Sequence, residues 1–398
     1  MKRKYNILIF NGGRGATSII NSLLKKKNIN LYSIVNAYDD GKSTGNLRDI
    51  FNILGPSDIR KIQTLFIPKN KNYFEIKKLF ELRLSGISKK LFFKNIFNFT
   101  NGKVIHLFGI KINNTKIRKY LIKNLNFFIK FVFNNKKNYD KLIVKDLSLI
   151  NCIYACSILL NDNKVSKSIN EFNTIFALRE STFCISDNIR HLCAIERPNR
   201  LYENESSIVE KRSNSNIENI FLLKNKIIKQ KFSNLDYESK NLRLKNLNTP
   251  PQVNRALFKI IKNADFIIYA PGTQHSSLYP TYMHLNIENL IKKNKKAKKI
   301  FITNIGADYE TPNYDTYDYL YGAYKYLSKS KQNFIFEDFF DYILINKPNK
   351  VLNKTHVSHN PNKFKDLKCK LILKNFETKT MIGKHDGTKV VKFLTSLF

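Results

Sequence analysis

"YNILIFNGGRGATSIINSLLKKK", residues 5–27, passes from one secondary-structure period to another across a single glycine-rich turn. Its first six residues form a short β-rich apolar run. After Asn11-Gly12-Gly13-Arg14-Gly15 the apolar residues recur at helical spacing. A second apolar run, "NLYSIV" (30–35), follows at once. Strand, helix and strand in that order point to a parallel sheet and an α/β chain. Further along, "ADFIIYA" (264–270), "KKIFITN" (298–304) and "YILIN" (342–346) read as buried strands. "GPSDIRKIQTLF" (55–66) reads as a helix start with Ser57 as its N-cap.

The second strand runs into "VNAYDDGKSTGNLRDIF" (35–51), in which Gly41-Lys42-Ser43-Thr44 resembles the end of a phosphate-binding P-loop. The P-loop pattern needs a glycine five positions before the Gly-Lys pair, and Asn36 stands there. Asp39 and Asp40 also fall inside the loop, and carboxylates repel phosphate unless a cation lies between them. The stretch is better suited to a metal–phosphate assembly. A dinucleotide site of the G-x-G-x-x-G type is the rival. Ser18 takes the place of its third glycine, however, and that reading leaves 41–48 without a role.

Four polar, glycine-bearing loops follow strands, and in a doubly wound sheet such loops share the edge where ligands bind. Five of the 14 glycines lie between positions 12 and 45, where backbone is free to approach a ligand closely. That convergence is the physical case for a site.

The bulk properties set limits. A chain of 398 residues, 42% hydrophobic, makes either one large domain with insertions or two domains. No apolar run reaches the length of a membrane span, and the apolar start "YNILIF" is too short for a signal-peptide core. A cytoplasmic protein without membrane association is expected. The five cysteines, Cys152, Cys156, Cys184, Cys193 and Cys369, lack the paired spacing of a zinc site and read as packed thiols. The net charge of +38 is spread along the chain, and no nucleic-acid-binding signature accompanies it. It reads as a compositional drift toward Lys, Asn and Ile, without a nucleic-acid partner. Residues 82–139 stand out, being rich in Lys and Phe and free of acidic residues. A helical insertion beside the site, with an aromatic core of its own, is the expectation there.

In order along the chain, "NGGRGATSIINSLLKK", "SIVNAYDDGKSTGNLR", "GPSDIRK", "LFELRL" (79–84), "LSLIN" (147–151), "NESSIVE" (204–210), "ADFIIYAPGTQHSSLYP", "ITNIGADYETP" and "KHDGTK" (384–389) resemble the 2-phospho-L-lactate transferase (CofD) family. That family includes a YvcK-like, nucleotide-sugar-binding branch. The resemblance spans nearly the whole chain. It implies one domain over 1–398, with a Rossmann-like sheet and a helical subdomain, and two alternative activities. The transferases move a phospholactyl-type group from a guanosine diphospho-donor to a deazaflavin acceptor with Mg²⁺, releasing GMP. The YvcK-like branch binds UDP-linked amino sugars and is regulatory. The loop at 39–48 and "GPSDIR" look closer to the YvcK-like pattern. Ile150-Asn151 replaces a usual Gly-Asn pair, Gln274-His275 replaces a Ser-Leu-Tyr type sequence, and 82–139 is longer than usual. These departures leave the acceptor open.

The expected ligand is therefore a nucleoside-diphosphate-linked small molecule of guanosine or uridine type, serving as donor in a phosphotransferase-like reaction or as effector of a non-catalytic regulator. Gly12, Gly13 and Gly15 would meet its phosphates through backbone N–H groups, with Arg14 at the mouth. Asp40 and Asp58 are the expected Mg²⁺ ligands, with Asp39 sharing the task or structural. Ser43, Thr44 and Arg48 would donate to the diphosphate, with Arg60 as a bidentate, catalytic cation. Gly272, Thr273, Ser276 and Ser277 would form a second cradle. Asn304, Glu310 and Thr311 would line the acceptor or sugar side, Thr311 also capping the next helix, and Asn151 would reach the base or sugar. His275 is a candidate proton donor, and His385-Asp386 fits the family pattern without an assigned role. A homodimer is the expected assembly.

Overall fold

The computed structural model describes residues 3–329, 335–348 and 356–398. At its centre lies a seven-stranded sheet. In chain order its strands are β1 (Tyr5–Phe10), β2 (Ile29–Val35), β3 (Ser181–Cys184), β4 (Phe266–Tyr269), β5 (Lys298–Ile302), β6 (Tyr342–Asn346) and β7 (Lys370–Lys374). Across the sheet the order is β7-β6-β5-β4-β1-β2-β3, and every pairing is parallel. Ile7 sits opposite both Leu31 and Phe266, so β1 is the central strand from which the order runs outward in both directions. This is the Rossmann-like, doubly wound arrangement, with its topological switch point between β1 and β4. Ile7, Leu8, Ile9 and Phe10 are fully buried, as a strand covered on both faces must be.

The edge strands β3, four residues long, and β7, "KLILK", carried no sequence signal strong enough to identify them. The helix read at 55–66 spans Ser57–Leu65 with Pro56 at its N-cap, so Ser57 is its first helical residue and makes no side-chain cap.

Helix α1 (Thr17–Leu23) follows β1, and α2 (Lys42–Phe51) and α3 (Ser57–Leu65) follow β2. Arg83–Leu84 and Leu147–Ser148 pair antiparallel and form the neck of the helical subdomain. Beyond the neck come α4 (Lys89–Thr100), α5 (Thr115–Phe133) and α6 (Lys136–Lys141), with a small hairpin between α4 and α5. Phe92, Phe93, Phe99 and Phe128 are buried there, yet the cluster is not separate from the main core. Phe51 of α2 stacks on Phe128 and Phe131, and α5 packs along the buried helix α7 (Leu149–Leu160).

A three-stranded antiparallel sheet, with His191–Glu196 between Arg200–Tyr202 and Ile217–Leu223, carries the short helix α8 (Glu205–Val209). The last helix, α9 (Gly387–Thr395), lies on α1. A Cβ on Gly387 would stand 1.9 Å from the Ser18 carbonyl oxygen, so only glycine permits the contact. Among the described residues no helix is long and apolar enough to cross a membrane.

Candidate functional site

The chain leaves β1 through Asn11, whose Nδ2 donates to Ser33 Oγ on β2 at 2.6 Å. Gly12 then passes so close to the loop after β4 that a Cβ would meet Ser277 Cβ at 2.3 Å. Gly15 passes equally close, with the Pro271 carbonyl oxygen 2.4 Å from where its Cβ would be. Gly13 takes φ +52°, a left-handed conformation that glycine adopts freely. These three positions let two loops interlock at the switch point, leaving bare backbone along the crevice.

The 271–277 loop is held from its other side. Asn304, beyond β5, accepts from Gly272 N–H and donates to the Gly272 carbonyl, both at 3.0 Å. Thr273 Oγ1 donates to Ser277 Oγ at 2.9 Å. The Glu310 carboxylate accepts from His275 N–H at 2.9 Å, from Ser276 N–H at 3.1 Å and from the Ser276 hydroxyl. Burial, with Asp308 nearby, raises the Glu310 pKa to about 7.

The resulting cleft encloses about 1310 Å³. It is lined by the Gly12–Gly15 loop, by Gly272, Thr273, Ser276 and Ser277, and by Asn304. Asp39 and Asp58 line it from the β2 side, Glu205 from α8, and Lys61 and Arg83 supply cations beside Arg14. Lys61 Nζ pairs with Asp58 Oδ1 at 2.7 Å. Burial raises the pKa of Asp58, as does Asp39, against the pull of Lys61. Burial raises Glu205 further, followed by repulsion from Asp39. The carboxylates are thus crowded where the cleft is deepest in negative charge. Among the described residues no three His, Cys, Asp or Glu side chains form a metal cage.

Several expected site residues sit elsewhere. Asp40 does not line the cleft. Its carboxylate faces Arg48 at 3.5 Å, and its N–H donates to Glu205 Oε2 at 3.0 Å. Arg48 is buried and donates to the carbonyls of Tyr38, Asp39 and Arg190 at 2.9, 3.3 and 2.9 Å. Arg60 is buried and donates to the Phe80 carbonyl at 2.7 Å, its pKa lowered by burial to about 10. Ser43 and Thr44 lie in the first turn of α2, and Asn151, buried in α7, donates to Thr44 Oγ1 at 3.4 Å. These groups shape the loop behind the cleft wall.

His275 is buried against Tyr279 and Tyr314, and burial lowers its pKa to about 3, which disfavours the imidazolium form that a general acid at neutral pH would need. Thr311 binds Asp308 and the Tyr319 hydroxyl and does not cap the following helix, which Asp315 caps with Asp318 in reciprocal bonds. His385 lines the cleft and its carbonyl accepts from Ser18 Oγ at 2.8 Å, while Asp386 caps α9. Glu205, Lys61, Arg83 and Asp308 were not singled out by sequence. Each nevertheless falls inside a family-like stretch: Glu205 in "NESSIVE", Lys61 in "GPSDIRK", Arg83 in "LFELRL" and Asp308 in "ITNIGADYETP".

A model of the family described as 2-phospho-L-lactate transferase CofD matches residues 7–377. The gluconeogenesis factors of Listeria innocua and Listeria monocytogenes are each 24% identical to the chain, over 99% of it and 96% of their own length. The crystal structure of a UPF0052 family member from Bacillus halodurans superposes with a TM-score of 0.64 at 19% identity, covering 99% of both chains.

Proposed function

Because the chain belongs to the 2-phospho-L-lactate transferase CofD family, we propose that its cleft binds a nucleoside-diphosphate-linked small molecule, and that the protein acts as a non-catalytic factor responding to that ligand, in keeping with Listeria relatives named as gluconeogenesis factors and not as transferases. The interlocked glycine loops carry the reading. Gly12 and Gly15 leave no room for side chains, so the loop presents bare backbone along the crevice at the switch point, where a diphosphate is favoured. Arg14, Lys61 and Arg83 offset its charge. Arg48 and Arg60, the cations expected to stabilise a leaving nucleotide, are already engaged with backbone carbonyls, which supports binding over turnover.

One observation favours a second reading, transfer of a phosphorus-containing group. Asp39, Asp58 and Glu205 crowd one side of the cleft, with Asp58 and Glu205 raised above their ordinary pKa. Asp39 and Asp58 suit a Mg²⁺ ion arriving with the diphosphate, since that ion takes one or two carboxylates and leaves its other positions to phosphate and water. When bound it would neutralise charge on the phosphate oxygens. The chain's own residues would hold the donor along Gly12–Gly15 and leave Glu205 to accept the proton of an acceptor hydroxyl. The acceptor oxygen bonds to the distal phosphorus as its bond to the leaving nucleoside monophosphate breaks.

Calorimetric titration of the purified protein with UDP- and GDP-linked compounds, with and without Mg²⁺, tests both. Binding indifferent to Mg²⁺, with no nucleoside monophosphate released, is the expected result. Release of UMP or GMP that is lost in Asp39→Asn and Asp58→Asn would replace the first reading with the second. Absence of nucleotide binding under every condition would remove both.

A further inference from the structure

One part of the cleft differs in chemistry from the rest. The turn at 378–384 closes through Thr378 N–H to the Lys384 carbonyl at 2.9 Å and Lys384 N–H to the Met381 carbonyl at 3.3 Å. The Glu377 carboxylate, paired with His356 at 2.9 Å, accepts from Gly383 N–H at 2.6 Å. Gly383, at φ +77°, rests on the loop after β5, where its Cβ would stand 3.2 Å from Gly306 Cα. The turn is therefore anchored. Yet Met381 and Ile382 at its tip are 61% and 59% exposed, and both line the cleft. Val209, at the end of α8, lines it too and is 46% exposed.

A single exposed apolar side chain needs no explanation. Three on one cleft, two of them on a turn tied down by a carboxylate and an imidazole, call for an occupant with an apolar face. A hydroxyl-rich sugar is a poor match, because hydroxyls buried against methyl and methylene groups lose their water without gaining partners. The flat face of a nucleobase is a good one, and a thioether packs well on an aromatic ring. Resting on the diphosphate reading above, we propose that Met381 and Ile382, with Val209, form the seat of the nucleobase. The diphosphate then lies along Gly12–Gly15, and the substituent beyond it lies toward Asp39 and Asp58.

The chain contains no tryptophan, so Met381→Trp places a single indole at the proposed seat. Titration of this variant with UDP, GDP and inorganic pyrophosphate should change the indole emission with the nucleotides only, while pyrophosphate competes for the site silently. In parallel, the double variant Met381→Ser with Ile382→Ser should bind UDP or GDP about tenfold more weakly, with pyrophosphate affinity retained. Unchanged nucleotide affinity in the double variant, or an indole response shared by pyrophosphate, would overturn the seat while leaving the diphosphate site standing. A parent protein that binds neither nucleotide nor pyrophosphate would overturn the diphosphate reading and the seat with it.

Discussion

Glu205 shows how much of the site is decided by single side chains. Its carboxyl is buried, and its pKa is raised well above 4.5 by burial and then by Asp39. A carboxyl raised in the folded state imposes no penalty below its unfolded pKa and a growing one as the pH climbs toward the folded value. Glu205→Gln removes that penalty while its amide oxygen can still accept from Asp40 N–H. Denaturant melts should show parent and variant equally stable at about pH 4, and the variant ahead by on the order of 1 kcal/mol at about pH 7.5. A variant weaker at both would mean that the charge stabilises the ligand-free fold. Gly15→Ala tests the interlocked loops. Its Cβ would meet the Pro271 carbonyl oxygen at 2.4 Å and Gly272 Cα at 2.6 Å, which forces the loops apart. A loss of about 1–3 kcal/mol is expected, with loss of ligand binding. Normal binding would show that the close approach has no part in the site. At this scale the glycines expected from sequence line the cleft, while their neighbours Asp40, Arg48 and Arg60 do not. Asp39 and Asp40 are adjacent in one loop, and contacts invisible in the sequence separate them: Arg48 reaches the Asp40 carboxylate from α2, while Asp39 accepts from Gly41 N–H and lines the cleft.

At the scale of elements, the loop between β2 and α2 keeps its shape through Arg48, which joins the Tyr38, Asp39 and Arg190 carbonyls and thereby ties that loop to the start of the small sheet. Arg48→Met strands those carbonyls and the Asp40 carboxylate, at a cost of about 3 kcal/mol or more. The ligand-free protein should show a lowered denaturant midpoint. An unchanged midpoint combined with weakened ligand binding would instead make Arg48 a ligand contact. The helical subdomain is likewise part of the body. Phe128 touches Phe51 of α2 and Phe92 and Phe93 of α4, so Phe128→Ala should cost about 3–5 kcal/mol of global stability. Survival of the main transition, with only a small separate one shifted, would show the subdomain to be autonomous. The strands that bear the site were legible because parallel strands covered on both faces are continuous apolar runs. The edges were not. β7 is a three-residue apolar run between lysines and is nowhere fully buried, and β3 is too short to show a period. Helix α8 has only five residues, and nothing local announces that it faces a cleft built mostly from residues far away in sequence.

For the whole molecule, a charge of +38 distributed over all its parts predicts nonspecific attraction to polyanions that salt removes. RNA or DNA retention at low ionic strength should vanish near physiological salt, about 150 mM, in a gel-shift series. Retention that persists there and is lost on neutralising lysines of α4 and α5 would establish a dedicated nucleic-acid face. The strand order has a consequence in time. β1 is made first but sits in the middle of the sheet, flanked by β2, which follows at once, and by β4, which begins at Phe266. At synthesis rates of about 5–20 residues per second, one flank of β1 waits roughly ten to fifty seconds for its partner. During that interval a largely apolar strand, ending in the loop at the cleft, must be shielded by a chaperone or by temporary contacts. Its dependence on such protection during translation follows from topology alone.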